Sequence, residues 1–247
     1  QVPWAKEGFW INGERTDIGN TFEHALGYIY VQEAASMIPA VVLGPKPYET
    51  VLDICAAPGS KSTQIAAMME NKGVLVANDI TGARTKILQL NLQRCGVTNA
   101  VITKAHGQGL KGFEFDKILV DAPCSGTGTI RRNTETLRTW NPDMVRRLSI
   151  TQKQLITTAF ELLKENGAMV YSTCSLEPEE DEGVVDFLLE RYRNAKMEKI
   201  MLKGLKSSEL VLEFEGKKYN DEIKKALRIW PQDNNTEGFF VARIKKV

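Results

Sequence analysis

Short apolar runs recur along this chain, and most of them stop at a turn signal. Ile118, Leu119 and Val120 form one such run, whose unbroken apolar character suits a strand buried on both faces. Asp121 ends it, Pro123 cannot continue a central strand, and Gly126 and Gly128 allow a loop. Runs at 51–54, 74–77, 101–102, 114–120 and 168–171 predict strands. Between them, 60–69, 81–94 and 150–164 carry helical patterns, with Ile87, Leu88 and Leu92 on one stripe and Asn166-Gly167 as the expected cap of the third. A further helix is expected over 179–192, with Pro178 near its start and acids in its first turns, where they complement the dipole. Upstream, 28–43 reads as helix through Glu33, Ala34, Ala35 and Met37, closed off by Pro45 and Pro47. FWINGER, residues 9–15, reads as a short hairpin around Asn12-Gly13. Residues 226–230 and 238–244 read as a closing antiparallel hairpin, while the Lys/Glu-rich 194–225 gives only a weak strand signal at 210–214.

Strands alternating with helices predict an α/β fold with a mostly parallel sheet and one reversed strand. In such sheets ligands collect at the carboxyl ends of the strands. Asp121 and Cys124 lie just past one strand, and Ser172-Thr173-Cys174-Ser175 closes another, so two thiols and a carboxylate are expected in one site. Residues 28–247 are expected to form the catalytic domain and 1–27 an N-terminal appendage.

Composition narrows the classes. The 247 residues carry a formal net charge of +1, so nucleic-acid binding must come from a local patch. No apolar run approaches the roughly 18 residues of a membrane span, and no membrane association is expected. Residue 1 is Gln, which leaves a preceding segment open. Cys55, Cys95, Cys124 and Cys174 fit no CxxC zinc pair; a cytoplasmic monomer with reduced thiols and no metal is the expectation.

The stretch 51–62 lacks GxGxxG and fails the phosphate-loop pattern, so pyrophosphate cradling is not indicated. Asp79 at the end of the next strand can accept two ribose hydroxyls, which favours a nucleoside ligand such as S-adenosylmethionine over plain loop capping by Asp53 and Asp79. Cys124 is no phosphatase nucleophile, because Arg131 stands one place too late for Cys-x5-Arg. Neither His24 nor His106 lies in a recognisable base motif, which argues against a cysteine protease.

LDICAAPGSKS (52–62), LVDAPCSGTG (119–128) and VYSTCSLEPEEDE (170–182) resemble the motifs of the Sun-type RNA (cytosine-5)-methyltransferases. YVQEAASMIPA (30–40) and IWPQDNNTEGFFVARIKK (229–246) are similar to the same family. The resemblance runs from about Tyr28 to Lys245. It implies a Rossmann-like S-adenosylmethionine-dependent methyltransferase, with a seven-stranded, mostly parallel sheet whose last strand is antiparallel.

The resemblance assigns the covalent role at cytosine C6 to Cys174, and to Cys124 assistance in product release. It implies that Asp121 hydrogen-bonds the cytosine edge. Lys61 is expected to favour a thiolate by its charge. Cofactor contacts carry over onto Cys55, Ala56, Ala57, Pro58, Gly59, Ser60 and Lys61, then Asp79 and Arg84, with Asp121 nearby. One departure stands out: Ala105-His106-Gly107-Gln108 lacks the acid that the family places against adenine. A backbone oxygen or Gln108 substitutes there, or cofactor affinity is weaker.

The resemblance implies an RNA substrate, tRNA first and ribosomal RNA second, with a non-catalytic RNA-binding protein as the alternative from another class. A small-molecule or protein methyltransferase would not need paired thiols. RNA contacts are expected from Arg131, Arg132, Arg138 and Trp140 in the polar stretch 125–147. Charge reversal at Arg131 and Arg132 is expected to weaken RNA binding in a filter-binding titration and to leave cofactor binding intact; unchanged RNA affinity would remove these arginines from the interface.

Overall fold

The computed structural model describes residues 1–13 and 17–247. Past the short α1 (Phe22–Ala25) and α2 (Ile38–Leu43), strands and helices alternate as β1 (Thr50–Asp53), α3 (Ser60–Met68), β2 (Val74–Asp79), α4 (Gly82–Arg94), β3 (Ala100–Lys104) and β4 (Phe115–Asp121). Then come α5 (Glu135–Thr139), α6 (Pro142–Glu161), β5 (Leu163–Thr173), α7 (Glu182–Arg191) and β6 (Ala195–Glu198). The two-residue strands β7 (Glu213–Phe214) and β8 (Lys217–Lys218) pair only with each other, and β9 (Leu227–Ile229), α8 (Pro231–Asn234) and β10 (Phe239–Lys246) follow.

The main sheet runs β3-β2-β1-β4-β5-β10-β6, with β9 also paired to β10. Strands β1 to β5 pair in parallel, and β10 is antiparallel to β5, β6 and β9. This is the expected Rossmann-like arrangement, with seven strands along the path and β9 as an addition. The order reverses between β1 and β4, the switch point at which such sheets bind ligands.

Double-sided burial explains the unalternating runs. Leu52, Ile118 and Val120 enter one core with Phe160, Val184 and Leu188, while Val51 and Leu119 enter the other with Ile38, Leu43 and Ile65. Val2, Trp4 and Ala5 join that second core, and the Trp4 indole N–H donates to Ala34 O at 3.0 Å. Among the described residues no helix is long and apolar enough to cross a membrane.

Several elements differ from the sequence reading. The helix over 28–43 reduces to a 3-10 turn at Ala35–Met37 and α2, because the Glu33 carboxylate takes the Ala35 N–H at 2.5 Å and Pro39 suits only a first turn. Residues 9–13 form no strand, and Glu14 and Arg15 of the expected hairpin lie outside the described residues. Helix α6 starts earlier, where Asn141 caps it by accepting from Met144 N at 2.8 Å, and it stops at Glu161. Leu163 is drawn into β5 opposite Phe115, so Asn166-Gly167 falls inside the strand rather than capping the helix. The acid run before α7 turns inward, which delays that helix to Glu182.

Arg228 on β9 is buried, yet its side chain binds both the start of α7 and the loop that follows Cys174. Its Nε donates to Glu182 Oε1 at 2.8 Å, Nη2 to Glu182 Oε2 at 2.5 Å, and Nη1 to Leu176 O at 3.0 Å. Asp181, 3.4 Å from Nη2, accepts from Thr173 Oγ1 at 2.5 Å. Arg228→Met is expected to cost about 3–5 kcal/mol by leaving two acids buried without their cation. Urea denaturation measures this, and a loss below about 1 kcal/mol would show that the cluster relaxes without its arginine.

Candidate active site

Strand register builds the centre. β4 and β5 pair with Asp121 opposite Ser172, and Ser172 Oγ donates to Asp121 Oδ1 at 2.8 Å. Each strand then turns away, and the two turns bring Cys124 Sγ and Cys174 Sγ to 3.3 Å. Lys61, buried in the first turn of α3, reaches back to Asp121 Oδ2 at 2.8 Å. Its ammonium also donates to Ser36 Oγ at 2.9 Å and stands 5.4 Å from the centre of the Phe239 ring. Burial opposes the charge on Lys61, but Asp121 outweighs it, so its pKa lies above the ordinary value.

The two thiols are not equivalent. A hydrogen bond from Cys124 lowers the Cys174 pKa below that of an ordinary thiol; burial and Asp121 oppose this, and Lys61 assists. The same bond, followed by burial, pushes Cys124 well above the ordinary value. Of the two, Cys174 therefore gives up its proton first, and its thiolate is the nucleophilic form of sulfur.

A buried carboxylate locks both cysteine loops. Glu180 accepts the Ser125 N–H at 3.0 and 3.2 Å, the Ser175 hydroxyl at 2.6 Å, and the Ser125 hydroxyl. The Gln152 amide donates to Glu180 Oε1 at 3.0 Å and to Pro123 O at 2.8 Å. Gly128 N–H donates to Cys174 O at 2.9 Å, and Gly238 N–H to Gly128 O at 2.9 Å. A Cβ on Gly128 would stand 2.3 Å from Gly238 O, so glycine is required at this crossing.

The nucleoside-type residues gather beside this centre. Asp79 is buried at the end of β2, where it accepts Ala57 N–H at 3.1 Å, Ile80 N–H at 2.8 Å and Arg84 Nε at 2.9 Å. Arg84 Nη2 also holds Ala57 O at 2.8 Å, which fixes the turn through Ala56, Ala57, Pro58, Gly59 and Ser60. Asp53 accepts Ser62 Oγ at 2.7 Å, leaves its other oxygen buried without a partner, and is pushed by burial up to about 7. Burial also raises the Cys55 thiol, which suits a packed residue rather than a nucleophile. The three carboxylates stand at the ends of β1, β2 and β4, the edge at which such sheets take a nucleoside, with Asp79 already paired to Arg84 and Asp121 to Lys61. Past β3, the side chains of His106 and Gln108 are exposed, and Gln108 O already accepts from Thr158 Oγ1 at 3.1 Å.

The arginines of 125–147 have different partners. Arg131 donates to Asn235 Oδ1 at 2.6 Å and Arg132 stands 3.5 Å from Glu237, both beside the thiol loops. Arg138 pairs with Glu135 within α5, and Trp140 Nε1 donates to Glu177 Oε1 at 3.0 Å.

Residues 40–245 match the family described as 16S rRNA methyltransferase RsmB/F. The chain belongs to this family. Among its relatives, the tRNA (cytosine(49)-C(5))-methyltransferase of Pyrococcus abyssi is 50% identical over 99% of this chain and 79% of its own length. The ribosomal RNA small subunit methyltransferase F of Vibrio vulnificus is 43% identical over 100% of this chain but 52% of its own length. The chain thus spans about half of the Vibrio enzymes it matches. A solved methyltransferase homolog from Pyrococcus horikoshii superposes with a TM-score of 0.87 at 41% identity, covering 100% of this chain and 77% of that one. NSun6 of the same organism, solved with SFG, gives 0.80 at 32% identity, covering 93% and 56%.

Within this RsmB/F chain, Ser36 and Glu180 are contacts that the sequence reading missed. Ser36 was hidden inside an expected helix. Glu180 sat in an acid run read as dipole compensation, and only the topology reveals that it faces two loops.

The rate of Cys174 alkylation by iodoacetamide is expected to have its pH midpoint below that of an ordinary thiol. Cys124→Ala and Lys61→Met each move it upward, because the thiolate loses a donor or a nearby cation. Peptide mass spectrometry across a pH series measures this, and a midpoint unmoved in Cys124→Ala would show that the sulfur–sulfur contact does not set it.

Proposed function

We propose that this chain methylates C5 of cytosine in tRNA, with S-adenosylmethionine as donor. The observation that carries the reading is the unequal thiol pair held beside the Lys61–Asp121 ion pair. Cytosine C5 is a weak nucleophile. Cys174 sulfur adds to C6, the C5–C6 π electrons shift to C5, and C5 attacks the donor's methyl group. The donor supplies that methyl on a positively charged sulfur. Asp121, fixed by Lys61 and Ser172, hydrogen-bonds the cytosine edge while charge moves through the ring. Solvent water then takes the C5 proton, the C5–H electrons restore the C5–C6 double bond, and the C6–S bond breaks with its electron pair returning to Cys174.

Expulsion returns negative charge to the Cys174 sulfur, where the Cys124 S–H stabilises it. This makes Cys124 the residue for product release. Cofactor contacts are assigned to 55–61, Asp79 and Arg84, and RNA contacts to Arg131, Arg132, Arg138 and Trp140. The catalytic unit is read as 28–247, with 1–27 as an appendage packed on its core. The higher identity and fuller coverage of the Pyrococcus abyssi relative favour tRNA over ribosomal RNA.

Cys124→Ala protein, incubated with labelled S-adenosylmethionine and bulk tRNA, is expected to give a protein–RNA adduct that survives denaturing electrophoresis. The adduct disappears in the Cys124→Ala/Cys174→Ala double variant. Persistence there would move the nucleophile to another residue. An adduct with ribosomal RNA alone would change the substrate, and no adduct beside an inactive wild type would overturn the reading.

A further inference from the structure

Beside the thiol loops lies an open hollow of about 620 Å³, lined by Ile130, Arg131, Leu176, Trp230, Pro231 and Asn235 among others. Neither Cys124 nor Cys174 lines it, and no residue assigned to the cofactor does. It nevertheless borders the centre closely, because Gly128, also in its wall, is bonded to Cys174 O, and Leu176 is two residues past Cys174. Its volume lies within the roughly 300–1,000 Å³ of small-ligand sites.

We infer that this hollow is a subsite for a nucleotide flanking the target cytosine in RNA, with the base on Trp230 and its phosphate at Arg131. The inference rests on the RNA reading above. Trp230 leaves 38% of its surface exposed, an open aromatic face of the kind on which unpaired bases stack. Ile130, Leu176 and Pro231 supply apolar walls for the base edges. Arg131 sits at the margin, and its Nη2 is steadied by Asn235 rather than neutralised by an acid. Arg132, next in the chain, stands 3.5 Å from Glu237, so Arg131 is the cation here that complements a phosphate. A cytosine drawn out of its stack to meet Cys174 leaves its neighbours unstacked. An aromatic platform one loop away offsets that loss and fixes the strand's direction across the site.

The test uses the full chain and a tRNA assembled from synthetic pieces, after the methylated cytosine has been mapped with wild-type protein. Trp230→Ala is expected to raise KM for tRNA by about tenfold and to leave kcat and S-adenosylmethionine binding within about twofold, with Trp230→Phe keeping most of the affinity. Arg131→Ala is expected to raise KM and flatten its salt dependence. An abasic residue on one flank of the cytosine should weaken wild type but add little to Trp230→Ala, the mark of a shared interaction. An unchanged KM in Trp230→Ala, or an abasic penalty equal in both proteins, overturns the subsite while wild-type methylation upholds the RNA reading. Wild type that binds S-adenosylmethionine but methylates no RNA overturns both. Should Trp230→Ala fail to fold, Trp230→Phe with the abasic series decides: a penalty on one flank that shrinks in Trp230→Phe supports the subsite, and an equal penalty overturns it.

Discussion

The parallel pairing of β4 with β5, which sets Asp121 opposite Ser172, underlies the chemistry of this protein. Both strands are buried on both faces, so a slip of one residue would exchange the two cores as well as displace the side chains. With that register fixed, Asp121 has Ser172 on one oxygen and Lys61 on the other, and the two turns bring the sulfurs together. A packing constraint in the sheet thus bears on which thiol gives up its proton first.

Around this register the fold accepts buried charge. Glu180 and Arg228 are almost fully enclosed, and a buried ion cluster replaced whole by apolar groups need not be less stable, although loss of one member is costly. Their value is positional. Glu180 gathers amide and hydroxyl donors from both cysteine loops, and Arg228 joins the start of α7, the Leu176 carbonyl and β9. The loops that carry the thiols are therefore held as firmly as the strands they leave, which suits a contact that must persist through bond making and breaking.

Strands β1, β2 and β4 were legible because double-sided burial leaves unbroken apolar runs, and their ends located Asp79, Asp121 and Cys124 without coordinates. The closing hairpin was legible from its flanking turn residues. Strand β6 was not: Ala195 and Met197 face inward from an edge, and Lys196 and Glu198, which alternate with them, are charged. The segment 28–43 misled because its composition favours helix, while a single side-chain contact from Glu33 decides where the helix begins. The arginines of 125–147 read as one patch, but their partners differ: Arg138 pairs with Glu135 inside α5, and Arg131 with Asn235. Trp230 lay in the motif at 229–246 without a role of its own, since the far wall of its hollow comes from residues about 50 to 100 positions away.

The crossing of Gly128 and Gly238 bears on the order in which the protein is made. β10 begins directly after Gly238 and inserts between β5 and β6, although β6 precedes it in the chain. While the ribosome is still working through the residues after Cys174, Gly128 O lacks the Gly238 N–H and β6 has no neighbour to pair with. Lys61, Asp121 and Cys124, the groups that tune the Cys174 thiol, are by then already made. The chemistry of the site is thus written early in the chain, and β10 arrives afterwards to close the sheet beside it.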